Sequence, residues 1–234
     1  FYHPHNMMLF VVGNVQPEEL VDVIKENQNK KHFFPETSIQ RKKIEEPESV
    51  AVKEQIDIMQ VEMNKLIVSI KINDILTNPQ EKIKRELSFN LLFDLYFSKS
   101  SVLYNEWLSK GYINETFSAN FTQERDYAFI LIGGDQDDYH LLQKTIFDFI
   151  EHIDDLVIEQ EDFERIKRKT IGNFINSYNS PESIANSFSR YYFEGICSFE
   201  LVDYVSKITI ADLNEVKKYF NKEYASTYIV KKDK

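Results

Sequence analysis

Cysteine is almost missing from this chain, with Cys197 its one example. A single thiol excludes an intrachain disulfide and any cysteine-based zinc cluster, and it fits a reducing, cytoplasmic setting. Its neighbours Gly195, Ile196, Ser198 and Phe199 supply no base and no cation that would lower its pKa, so the sequence predicts a buried structural thiol. Glycine and proline are also scarce, 6 of each in 234 residues, which leaves no long low-complexity linker. No apolar run reaches the roughly 20 residues of a membrane-spanning helix, and no membrane partner is expected. Positive charge is short as well: 28 Lys and Arg against 38 Asp and Glu give a net charge of −10. Such acidity argues against a nucleic-acid partner. The best basic run, Arg165 with Lys167, Arg168 and Lys169, reads as a solvated helix face.

What is present is ample apolar material, 42% hydrophobic and 14% aromatic, enough for a real core. Met7 to Val12 reads as a strand, approached through His3 and His5. Gln16-Pro17-Glu18-Glu19 then starts a helix, with proline in its first turn and acids beside the positive end of the dipole. From Asn27 to Ser49 the pattern dissolves into polar residues, an extended linker with Phe33-Phe34 as its expected anchor. Leu66, Val68, Ile70 and Ile72 alternate in the manner of a strand, and Ala51 to Val61 is expected to pair with it across a turn at Glu62 to Lys65.

Asn78-Pro79-Gln80-Glu81 is a strong helix start, and Ile83, Leu87, Leu91 and Leu95 give that helix a core face. Two strands follow, Glu115 to Thr122 and Tyr127 to Ile132; the second is apolar on both sides and so expected to be central. Helices are predicted at Asp135 to His152, Glu159 to Tyr178, Ser180-Pro181 to Glu194, Phe199 to Ser206, and from the Thr209/Asp212 capping pair to Phe220. A last strand runs from Ala225 to Val230. Helices gathered after hairpins indicate an α+β fold, an antiparallel sheet with helices on one face as a two-layer sandwich.

Several features invite a chemical reading. His3 and His5, two apart, suggest a metal pair, but no carboxylate lies near them in sequence, and solvated turn histidines are the better reading. His152 reads as a helix-end residue favoured by the dipole. Gly133-Gly134-Asp135 has the look of a phosphate-binding turn but lacks a lysine, and a glycine turn with an aspartate cap is preferred. FYHPHNMMLFVV also lies without gaps over YFNKEYASTYIV, a weak echo suggesting that the chain opens where one repeat ends and then holds a second.

The opening run Tyr2, Pro4, Asn6-Met7, Leu9, Val11-Val12-Gly13, followed by Pro17-Glu18, resembles a signature of the insulinase/pitrilysin family of inverted zincins, in particular its bacterial members kin to mitochondrial processing peptidase. In that family the signature closes the first of two homologous α+β domains that face each other around a peptide. The resemblance therefore implies residues 1–30 as the end of a zinc-binding type domain, 31–49 as a linker, and 50–234 as a second domain that binds no zinc. The family's zinc site is His-x-x-Glu-His on a helix, whose glutamate takes a proton from the metal-bound water. The motif is absent here, as is His-Glu-x-x-His; the histidines are His3, His5, His32, His140 and His152. No catalytic and no metal-ligating residue is thus assigned. Zinc is expected in the family's preceding domain, and this chain is expected to be inactive alone.

Many active members carry an arginine and, seven residues on, a tyrosine that reach the bound peptide. In the run LYNEWLSKGYINETFSANF those positions fall on Trp107 or Leu108 and on Asn114 or Ile113, with Tyr112 a candidate stand-in. Tyr112, Asn114 and Phe117 are the candidate substrate-binding residues. The stretch around Thr116 to Phe121 is a candidate edge strand for pairing with an extended peptide. Expected partners are an extended polypeptide substrate, the preceding domain, and a homologous subunit or second copy. A non-catalytic scaffold subunit of a processing-protease-like heterodimer is the alternative.

Overall fold

The structure is a computed structural model and describes residues 2–34, 38–40, 42 and 45–233. In chain order its helices are α1 (Pro17–Asn29), α2 (Pro79–Phe97), α3 (Val102–Ser109), α4 (Tyr139–His152), α5 (Gln160–Ser177), α6 (Pro181–Tyr192), α7 (Leu201–Lys207) and α8 (Ile210–Lys217). Its strands are β1 (Glu54–Met59), β2 (Lys65–Ile72), β3 (Ser118–Gln123), β4 (Ala128–Asp135) and β5 (Ala225–Lys232). Contacts group the chain into two units, Phe1–Glu45 with Asn173–Leu201, and Glu46–Gly172 with Val202–Lys234. The expected linker of residues 31–49 includes Pro35, Glu36, Thr37, Arg41, Lys43 and Ile44, which lie outside the described residues.

The larger unit is one sheet in the order β1-β5-β2-β4-β3, antiparallel except for the outer pair β1 and β5. The period-two pattern of β2 does what it promises: Leu66, Val68 and Ile70 are fully buried under helices, while Ile67 on the other face is 42% exposed. Ala128, Ile130 and Ile132 of β4 and Ala225, Thr227 and Ile229 of β5 continue the buried face. Against it packs α2, whose Asn78 cap accepts from the amides of Gln80 and Glu81 as its sequence dictates. Phe89 of α2 sits at the centre, stacked on Phe121 with ring centroids 4.2 Å apart and close to Phe93, Tyr219 and Phe220. The Thr209/Asp212 capping box starts α8 as read from sequence.

The expected hairpin of β1 with β2 is not formed. The two strands run in opposite directions as a hairpin would, but β5 lies between them, parallel to β1 and antiparallel to β2. A parallel neighbour is brought in by a long connection and leaves no local turn signal, so pattern alone favoured the nearest partner in sequence. Gly133 and Gly134 are a second correction: they lie inside β4, not in a turn, and the cap of α4 is Asp138. A side chain at Gly133 would meet the carbonyl oxygen of Leu66 at 2.1 Å, and one at Gly134 the Cα of Phe117 at 2.9 Å. Close backbone approach therefore requires both glycines.

In the smaller unit the opening segment makes a short 3-10 turn at Pro4–Asn6, capped by His3, which accepts from the amide of His5. Met7 to Val12, expected as a strand, joins no ladder among the described residues. Its exposure still alternates, with Met8, Phe10 and Val12 half-buried and Met7, Leu9 and Val11 exposed. Phe10 stacks on Phe188 of α6 at 4.1 Å, and Phe188 in turn lies near Tyr192 and Phe199. The Ser180 cap of α6 is in place. Two expectations change here: Cys197 is exposed, so no buried thiol is found, and of the aromatic pair Phe34 is 90% exposed while Phe33 lies edge-on to the His3 ring. His3 instead holds this segment, its Nε2 lying 3.0 Å from the carbonyl of Phe34.

Candidate functional site

The loop that precedes β3 brings the sequence-predicted residues together. Helix α3 is started by Ser101, whose hydroxyl accepts from Tyr104 N, and just past its Lys110 cap Gly111, with a φ of +70°, turns the chain. Tyr112 follows, half-buried, with the ammonium of Lys110 5.7 Å from its ring centroid. Gln136 ties the loop down by donating to the carbonyls of Gly111 and Tyr112. Asn114 shapes the next turn: its Nδ2 donates to Asp135 O at 2.6 Å, and its Oδ1 accepts from the amide and hydroxyl of Thr116. Thr116 accepts in turn from Asp135 N at 2.7 Å, so loop and β4 are locked together.

Phe117 is buried, in edge contact with Phe97 and Trp107, and its ring has no face open to a ligand. Trp107 and Ile113 are likewise core residues, each below a tenth exposed, while Leu108 is partly exposed. Tyr112 and Asn114 are both half-buried, but the Asn114 amide is spent inside the loop, so Asn114 and the buried Phe117 support the loop that carries Tyr112.

Beyond that loop β3 is an edge strand, with β4 on one side and, among the described residues, no strand on the other. Glu124 N donates to Tyr127 O at 2.8 Å, in the same register that pairs Gln123 with Ala128. Because antiparallel pairs alternate between bonded and non-bonded, Ala119, Phe121 and Gln123 then point their N–H and C=O groups away from β4, toward the free edge. One side of β3 carries Ser118, Asn120 and Thr122, and the other carries the half-buried Ala119 and Phe121.

Sequence reading passed over Arg85, the best-connected charge in this region. It lies on the apolar side of α2, between Ile83 and Leu87, and is 5% exposed. Its Nε donates to Gln123 Oε1 at 2.7 Å and a second guanidinium nitrogen reaches the same oxygen. A further nitrogen donates to the carbonyl of Asp74 at 2.7 Å and to Tyr219 Oη at 3.3 Å, with the Asp74 carboxylate 3.4 Å away. The plane is flanked by the rings of Phe121 and Tyr219. Tyr219 donates to Asp74, and burial first, then that bond, raises its pKa so that it stays a donor. A lone arginine in an apolar stripe was the one available signal.

Among the described residues nothing fits a zinc centre. His3 spends one nitrogen on the amide of His5 and the other faces the Phe34 carbonyl, and no described carboxylate completes a shell. Among the described residues no three His, Cys, Asp or Glu side chains converge. His152 ends α4, its Nδ1 2.8 Å from Asp148 O, as its position predicted. The basic run on α5 is taken up locally: Arg165 pairs with Asp162, Lys169 with Asp94, and Lys167 donates to Ile208 O.

The family model for the peptidase M16 inactive domain matches residues 1–170. The chain belongs to the peptidase M16 family. Its match is to the inactive domain of that family, in agreement with the absent His-x-x-Glu-His. It is 40% identical over 216 residues to the zinc protease YmfH of Bacillus subtilis, covering 92% of this chain and 50% of that protein. It is 24% identical to the zinc protease PqqE of Helicobacter pylori, covering 98% of this chain and 52% of that one. The chain thus spans about half the length of the curated relatives it matches. Its fold is shared with an M16-like peptidase from Alicyclobacillus acidocaldarius, at a TM-score of 0.86 and 22% identity over 94% of this chain and 53% of that one.

Proposed function

We propose that this chain is the non-catalytic half of a zinc metallopeptidase, forming one wall of the chamber in which an extended polypeptide is held. The zinc ion and its His-x-x-Glu-His helix belong, in this reading, to another half, supplied by the same polypeptide or by a homologous subunit. Membership of the inactive-domain family, a length of about half the curated zinc protease relatives, and the absent motif all support it. The observation that carries the substrate role is the free edge of β3, whose outward backbone groups at Ala119, Phe121 and Gln123 are placed to pair with a peptide strand. Tyr112 is then the side chain at the mouth of the edge that touches the peptide, and Asn114 and Phe117 fix the loop beneath it. The single cysteine supports a cytoplasmic setting.

A scaffold role, shaping the chamber without helping the chemistry, is favoured by one observation: the positions corresponding to the family's arginine and tyrosine include the core residues Trp107 and Ile113. Hydrogen exchange separates peptide holding from mere scaffolding. An eight-residue peptide of alternating valine and threonine, added in excess, is expected to protect the amides of Ala119 and Phe121. Protection confined to β1, or none at all, contradicts the role assigned to β3.

A further inference from the structure

We propose that Arg85 is a positioning residue for peptide capture, holding the last half of β3 straight and in register as a docking edge. The inference rests on the peptide-pairing reading of β3 and deepens it. An edge strand is held by one neighbour only, so half of its backbone order must come from elsewhere if it is to template a new strand. Here it comes from below. Arg85 bonds Gln123 at the end of β3 through two guanidinium nitrogens and lies against the Phe121 ring two residues earlier. Gln123 also donates from its Nε2 to Lys82 O at the first turn of α2. Both residues so gripped have outward-facing backbone groups, which are the groups a peptide would use.

The other side of the guanidinium is anchored to Asp74 and Tyr219, on the segments after β2 and after α8. The edge is therefore referenced to three parts of the core and not to its neighbour strand alone. A leucine at this place would serve packing as well. Burying the guanidinium costs folding energy even with the Asp74 carboxylate 3.4 Å away, and what it supplies that a leucine would not is a directional hold on Gln123.

The test uses the whole chain and a fluorescein-labelled eight-residue peptide of alternating valine and threonine, read by anisotropy. Gln123→Ala and Arg85→Met are each expected to weaken binding by about fivefold or more, the loss of roughly one directional bond network. Gln123→Glu, which offers the guanidinium a carboxylate, is expected to restore affinity to within about twofold of wild type. Thr209→Ala is the control: it removes the α8 cap, destabilises the fold away from β3, and should leave affinity unchanged. Should Arg85→Met fail to fold, Gln123→Ala with its glutamate rescue decides alone. Wild-type affinity in Gln123→Ala, or an equal loss in Thr209→Ala, overturns the positioning role while leaving the edge reading intact. No binding to wild type overturns the edge reading itself.

Discussion

Lys84 Nζ lies 2.6 Å from Asp212 Oδ1, joining the exposed side of α2 to the capping box of α8. Burial alone would raise the Asp212 pKa, but the bonds from Lys84 and from the hydroxyl and amide of Thr209 outweigh it and hold the carboxylate below its ordinary range. The lowered folded value sets the sign: the contribution is full above the unfolded pKa near 3.8 and is lost as pH falls through the folded value. Asp212→Ala is therefore expected to cost about 1 kcal/mol at neutral pH, the typical worth of a cap, and less in acid, once pH has fallen through the lowered folded value. Urea unfolding of both proteins at neutral and acid pH checks this.

The two glycines of β4 and the glycine of α5 should respond oppositely to alanine. Gly133→Ala forces a methyl into the Leu66 carbonyl, and the β2 to β4 ladder must shift, at a cost of about 3 kcal/mol or more. Gly172 lies in α5 with nothing within 4 Å of an added Cβ. Gly172→Ala should therefore stabilise by about 0.5–1 kcal/mol through helix propensity. Midpoints of chemical denaturation distinguish the two.

Phe89 is fully buried and touches the rings of Phe93, Phe121, Tyr219 and Phe220, so Phe89→Ala is expected to cost about 3–5 kcal/mol. Val102, 82% exposed at the start of α3, should tolerate alanine within about 0.5 kcal/mol. Thermal melts of the two variants give the comparison directly.

Calorimetric titration with zinc should give no tight binding, and His3→Ala with His5→Ala should leave the isotherm unchanged. The ring of His3 is committed to the amide of His5 and the Phe34 carbonyl. Submicromolar affinity that these substitutions abolish would contradict this.

Local chemistry was legible in the sequence because it needs no distant partner. Asn78, Ser180 and the Thr209/Asp212 pair cap the helices they were expected to cap, and β2 buries the residues that its alternation selects. What failed was decided by distant chain. β5 slips between β1 and β2 from 153 or more residues away in sequence, as the pairing of Lys65 with Val230 and of Glu54 with Thr227 records. Glycines needed for backbone approach at β4 looked like a turn, because Leu66 and Phe117 are their neighbours in space only. The site was half legible. The pattern of β3 could be read, but its place at the edge depends on sheet order, and the grip of Arg85 on Gln123 spans 38 positions with no motif to announce it.

The central claim is that peptidase chemistry lies outside this chain while peptide holding lies within it. Cleavage of fluorescein-labelled casein in the presence of zinc tests it most directly, with this chain alone and with this chain combined with a family domain that carries His-x-x-Glu-His. The account predicts no cleavage above buffer for the chain alone, and chelator-sensitive cleavage in the combination that exceeds that of the added domain by itself. Chelator-sensitive cleavage by this chain alone would contradict it.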